Sequence, residues 1–235
     1  MKNTPFIAVT SQPVPYHADT TAIFNTLCQQ NSNSLLLDSA EIGSKNSLQS
    51  LILINAAVKI TCLGNQVTFR ALNANGKQVL KEIHPVLSQL GTVSAVNFDD
   101  EFSVQFAPLD NQLDEDSKLQ AATIFDGLRV ISNHYQHSST PVFLGGLFAY
   151  DLVANFIPMQ GVELKDDGIH CPDYSFYLAE NLITIDHQSQ QATLKSFCFS
   201  QEEQVEVAKT ALSIAQKLRN IDGVLSIKAA SDEVN

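Results

Sequence analysis

The sequence has no tryptophan, two methionines, and 14 basic residues set against 25 acidic ones in a chain of 235. A formal charge of −11 argues against a surface that neutralises phosphates, and no run of Lys or Arg reaches three residues. Nucleic acid and anionic membrane are therefore not expected as partners. No apolar stretch approaches the roughly 18 residues that span a bilayer. The opening segment MKNTPFIAVTSQPVPYHADT lacks the apolar centre of a secretory signal. Cys28, Cys62, Cys171 and Cys198 are scattered without a C-x-x-C pair. That spacing excludes a zinc framework or a thioredoxin-type site and predicts free thiols in a reducing cytoplasm. No Asn-x-Ser/Thr acceptor occurs.

Catalytic signatures are also missing. The chain has no G-x-G-x-x-G after a strand, no phosphate-binding G-x-x-x-x-G-K-S/T, no H-E-x-x-H and no G-x-S-x-G. No two of its histidines stand four apart on a helix beside a carboxylate; His134 and His137, three apart, read as solvated surface. Asp114-Glu115-Asp116 lacks the alternation and glycine of a calcium loop and reads as helix N-terminal charge.

What is present is an alternation of short strand and helix patterns. Residues 19–30 predict a helix with Ile23, Phe24 and Leu27 on one face and Asp19 or Thr20 as its cap. LLLDSAEI (35–42) predicts a buried strand. A meander follows, with a two-residue turn at Gly64-Asn65 of the II′ kind, then QVTFRAL, then a loop at 73–76 returning into KQVLKEI. Leu119, Ala122, Phe125, Leu128, Ile131 and Tyr135 predict one long amphipathic helix. A second meander begins near Val142, and Ser200-Gln201-Glu202-Glu203 reads as a capping box opening a last helix to about Asn220. Hairpins rather than βαβ units imply an α+β fold with largely antiparallel, sandwich-like sheets flanked by helices. Residues 1–18 are expected to be a tail, 19–222 one domain, and 223–235 a linker.

Two segments ask for more than a structural role. In Leu35-Leu36-Leu37-Asp38-Ser39-Ala40-Glu41, alternation puts Leu35, Leu37 and Ser39 on one face. An unpaired buried hydroxyl costs about 1–3 kcal/mol, so Ser39 either bonds backbone at a strand end or lines an apolar slot for a small ligand. In Gly145-Gly146-Leu147-Phe148-Ala149-Tyr150-Asp151 the paired glycines suggest close backbone approach or a bulge.

In order along the chain, LLLDSAEIGSKNSLQSLILINAAVKITCLG (35–64), the Gln112–Ser117 stretch, IFDGLRV (124–130), FLGGLFAYDLV (143–153) and CPDYSFYLAENLITIDHQ (171–188) resemble the amino-terminal half of the anthranilate synthase large subunit, component I, among the chorismate-utilising enzymes. The resemblance covers residues 20–200 or so. It implies a lyase of tryptophan biosynthesis that converts chorismate and ammonia to anthranilate and pyruvate. Mg²⁺ would be its cofactor, and a glutamine amidotransferase subunit (component II) would supply the ammonia. The family's magnesium and chorismate motifs belong to its carboxy-terminal half and do not occur here, so no catalytic residue or metal ligand is assigned. This chain alone is expected to be inactive without that half. The resemblance also implies feedback binding of L-tryptophan at Ser39 with Leu37 and Asp38. Relatives of this resemblance often carry Glu where Asp38 stands and a basic residue where Gln49 stands. Arg129 in IFDGLRV is a candidate for regulatory coupling. The alternatives are the related component I that aminates chorismate toward 4-aminobenzoate, a stand-alone amino-acid-binding module, and a purely structural domain.

Overall fold

A computed structural model describes residues 4–29, 31–38, 48–97, 99–108, 114–156 and 171–221. The elements in chain order are β1 (Ala8–Val14), α1 (Thr20–Cys28), β2 (Leu35–Asp38), β3 (Gln49–Leu63), β4 (Gln66–Ala71), α2 (Ala74–Leu87), β5 (Thr92–Asn97) and β6 (Glu101–Gln105). They continue with α3 (Glu115–Gln120), α4 (Asp126–His134), β7 (Leu144–Phe148), β8 (Tyr174–Asp186), β9 (Gln191–Cys198) and α5 (Gln204–Arg219). The fold is α+β. Hydrogen bonds order the strands β1-β9-β8-β3-β4-β6-β5, with β2 on β3 and β7 on β8. The chain divides into two units, Phe6–Ala56 with Ala179–Asn235 and Met1–Pro5 with Ala57–Leu178, and it passes from one to the other inside β3 and β8.

In the first unit the apolar faces of α1 and α5 meet one face of the sheet. Ile23 and Leu27 of α1 join Ile52 and Ile54 of β3, Ile183 and Ile185 of β8, Leu194 of β9, and Ile214 and Leu218 of α5 in one buried cluster. Each such side chain contributes on the order of 1.5–3 kcal/mol on burial. In α1, Asp19 caps the first turn by accepting from the Ala22 N–H at 2.8 Å. The segment expected to be a tail instead holds β1, which pairs with β9 from Ala8↔Cys198 to Val14↔Ala192. As the terminal strand of the ladder, β1 tolerates Pro13, which cannot donate to a second neighbour. The last helix starts at Gln204, because Ser200 Oγ is engaged in a turn with the Glu202 N–H at 3.3 Å and the expected capping box does not close.

The second unit is built on the β3–β4 hairpin. Gly64 takes φ +57° while Asn65 stays out of the positive region, as a II′ turn requires. KQVLKEI, expected to be a strand, lies in α2. Asn73 caps that helix by accepting from the Gly76 N–H at 2.8 Å, and Val79, Leu80, Ile83 and Leu87 are buried at helical spacing. Phe69 and Phe102 stack beneath it with centroids 5.2 Å apart. The single long helix expected over 119–135 is two. Asp126 Oδ2 accepts from the Thr123 N–H at 2.6 Å and from its hydroxyl at 3.3 Å, a local bond set that interrupts the first helix and begins the second. The paired glycines do mark close approach, since a Cβ on Gly146 would fall 2.1 Å from the Ser175 carbonyl oxygen. The chain then leaves β7 through a 3₁₀ turn at Tyr150–Asn155.

Candidate functional site

The first unit places Leu37 and Asp38 at the end of β2. Register pairs Leu36 with Ile52, Leu37 with Leu51 and Asp38 with Ser50. Leu36 packs against the buried cluster, which turns Leu37, on the opposite face, outward to 41% exposure. Leu36, Leu37, Asp38, Gln49 and Leu51 line a groove of about 560 Å³. It offers apolar walls and one carboxylate. Register puts Asp38 on the same face as Leu36 and Ser50, and the carboxylate is bonded on that side.

Asp38 is held by hydroxyls. Thr20 Oγ1, in the first turn of α1, donates to Asp38 Oδ2 at 3.2 Å. Ser50 Oγ donates to Asp38 Oδ1. Ser50 is fully buried, and its oxygen also lies 2.7 Å from His187 Nε2. His187 Nδ1 stands 3.2 Å from the Tyr16 hydroxyl, with the two rings edge to face at 5.8 Å. The backbone N–H of His187 donates to the Leu48 carbonyl at 2.9 Å, which fixes the chain just before β3. Five side chains from separate stretches of sequence thus form one connected set around the groove's carboxylate.

Ser39, the residue the resemblance favoured, lies outside the described residues, as do residues 40–47 and the expected linker at 223–235. Arg129 belongs to the other unit, where it pairs with Asp126 at 3.3 Å and leaves 60% of its side chain exposed. Its guanidinium lies 6.0 Å from the Phe125 ring centre. Ser50, His187 and Tyr16 were not singled out from sequence, and Thr20 only as a possible helix cap. The signal for Ser50 was available, since it shares a strand face with Ile52 and Ile54, which is the argument that had pointed to Ser39. Among the described residues no three His, Cys, Asp or Glu side chains converge as metal ligands. No helix among them is long and apolar enough to cross a membrane.

Other ionisable groups have structural partners. Glu82 on α2 is half-buried, which opposes its ionisation. Donation from His134, Gln78 and Tyr135 outweighs that and holds its carboxyl below the usual range. His134 Nε2 and Tyr135 Oη each lie 2.9 Å from Glu82 Oε2, so His134 is a partner of the fold rather than solvated surface. A depressed folded-state pKa means this contribution is complete above about pH 5 and is lost as pH falls through the folded value. Thermal melts from neutral pH into the acid range should therefore drop, and Glu82→Gln should flatten that drop while lowering stability at neutral pH. An unchanged acid limb in the variant would show that Glu82 is not the group responsible.

All four cysteines are free thiols. Burial pushes Cys62 up to about 12, with the Asp173 charge adding and the Tyr174 hydrogen bond opposing. Burial also raises Cys28 and Cys198, whereas Cys171 is exposed. Since the thiolate is the nucleophile, iodoacetamide on the native protein should label Cys171 first and the other three only on unfolding. Equal native labelling of Cys62 and Cys171, read by peptide mass spectrometry, would contradict this packing.

Over 229 residues, 97% of this chain, the sequence is 86% identical to anthranilate synthase component 1 of Haemophilus influenzae. The chain belongs to the anthranilate synthase component 1 family and spans its amino-terminal part. The component 1 proteins of Vibrio cholerae and Escherichia coli match 85% and 83% of the chain at 44% and 36% identity. The chain spans less than half the length of these component 1 relatives, 44% of that from H. influenzae and 38% and 37% of the other two. No family model matches it.

Proposed function

We propose that this chain is the effector-sensing part of an anthranilate synthase component 1, and that its ligand is L-tryptophan held at the end of β2. The observation that carries this reading is the groove at Leu36, Leu37, Asp38, Gln49 and Leu51. An amino-acid zwitterion with an apolar side chain asks for a carboxylate to meet its ammonium and for apolar walls beside it. Asp38 supplies the first, and Leu37 and Leu51 the second. Ser39, next in sequence, supplies a hydroxyl for the ligand's polar end. Asp38 in place of a longer acid suits this arrangement, because two hydroxyls orient the shorter arm.

Chemistry belongs to the whole enzyme. In that reading the protein forms anthranilate and pyruvate from chorismate, with ammonia from a glutamine amidotransferase partner, component 2. Mg²⁺ is bound by residues other than those described here. This chain by itself then has no turnover. The test is anthranilate fluorescence in the full-length protein, with ammonia as co-substrate, against rising L-tryptophan. Saturable inhibition by L-tryptophan and none by equal L-leucine supports the reading; insensitivity to L-tryptophan refutes it.

A further inference from the structure

We propose that Ser50 and His187 are positioning residues for Asp38, forming with Tyr16 a one-directional hydrogen-bond relay that presents its carboxylate to an amino-acid ammonium. This rests on the effector reading above and assigns to that site the groups that set its affinity for the ligand's amino end.

The direction follows from counting protons. A carboxylate only accepts, and a serine hydroxyl has one proton. The Ser50–Asp38 bond therefore uses the Ser50 proton. Ser50 Oγ, 2.7 Å from His187 Nε2, can then only accept, so Nε2 carries a hydrogen. In neutral imidazole that leaves Nδ1 as the acceptor for the Tyr16 hydroxyl at 3.2 Å. Every donor points the same way, from Tyr16 to His187 to Ser50 to Asp38, and such chains polarise cooperatively in a low-dielectric setting. The order also rules out a hydrolytic triad. The hydroxyl lies between the acid and the imidazole, and its proton already belongs to the acid.

Burial makes the relay stiff at one end and open at the other. Ser50 is fully buried at the Asp38 cross-strand position, and Tyr16 packs against the apolar cluster. Asp38 is exposed along the groove. Of roughly four acceptor positions on a carboxylate, Ser50 and Thr20 occupy one on each oxygen. Those left over meet the ligand. Holding an exposed Asp in one rotamer removes part of the ordering cost of binding.

The test uses the full-length protein, with imidazole-¹⁵N histidine for NMR and two inhibitors. L-tryptophan carries the ammonium, and indole-3-propionate has the indole and carboxylate without it. In the unmodified protein, neutral His187 should be the Nε2–H tautomer, and Ser50→Ala should abolish that preference. His187→Phe should weaken L-tryptophan about three- to tenfold, the worth of one neutral hydrogen bond, and leave indole-3-propionate unchanged. His187→Gln, which keeps an N–H for Ser50, should restore most of the loss. An Nδ1–H tautomer, or an equal loss for both inhibitors, overturns the proposal. If L-tryptophan binds and neither variant alters its affinity, the proposal falls while the effector reading stands. If the unmodified protein binds no L-tryptophan, both fall.

Discussion

Ser39→Phe in the full-length protein is expected to make anthranilate formation insensitive to L-tryptophan. Ser39 follows Asp38, the last residue of β2 and the groove's carboxylate. On the effector reading proposed above, a benzyl group at this position would fill space the indole takes and would remove a hydroxyl that serves the ligand's charged end. A hydrogen bond to a charged group is worth roughly 1.5–3 kcal/mol, or about 10- to 150-fold in affinity, and steric exclusion adds to it. The quantity to follow is the ratio of inhibited to uninhibited rate in one preparation, which should approach one at every L-tryptophan concentration. Inhibition couples two distinct sites, so the ratio isolates the effector's contribution from any change in the rate itself. If Ser39 were only a packing residue, overpacking by typically 1–3 kcal/mol would lower the melting temperature and leave the ratio unaltered.

The largest effect on folding is expected at Gly76. A Cβ there would lie 1.9 Å from the Ala57 carbonyl oxygen and 2.8 Å from its carbon, both backbone atoms. That oxygen also accepts from the Leu72 N–H at 2.9 Å, so moving it breaks the link between β3 and the entry to α2. Gly76→Ala is a change of one methyl group, yet it should cost at least about 3 kcal/mol, from overpacking against a rigid partner and one lost hydrogen bond. Urea unfolding would show this as a lower midpoint with little change in slope. A loss below about 1 kcal/mol would mean that α2 can move away from β3 more freely than this packing allows.

Strand and helix content was legible where the pattern and the punctuation agreed. The Gly64 turn, β8, β9 and the α1 cap all follow from local residue choice. KQVLKEI misled because its short apolar pattern suits either period, and the Asn73 cap decides for helix. The break before α4 was hidden because Thr123 and Asp126 fall between the apolar positions and leave their stripe unbroken. β1 was missed because Pro13 and a polar composition mask a strand that needs only one neighbour. Leu37 and Asp38, which the resemblance had named, line the groove, and Ser50 carried a signal in its strand face. His187 and Tyr16 carried none, since their roles come from long-range placement, 137 residues from Ser50 in the first case and 171 from His187 in the second.

The most direct measurement is an experimental structure of the full-length protein with L-tryptophan bound. The account predicts the ligand in the groove beside Leu37 and Leu51, its ammonium within hydrogen-bond distance of an Asp38 carboxylate oxygen that still accepts from Ser50 or Thr20. Ligand found elsewhere, or in the groove with its ammonium turned away from Asp38, would contradict it.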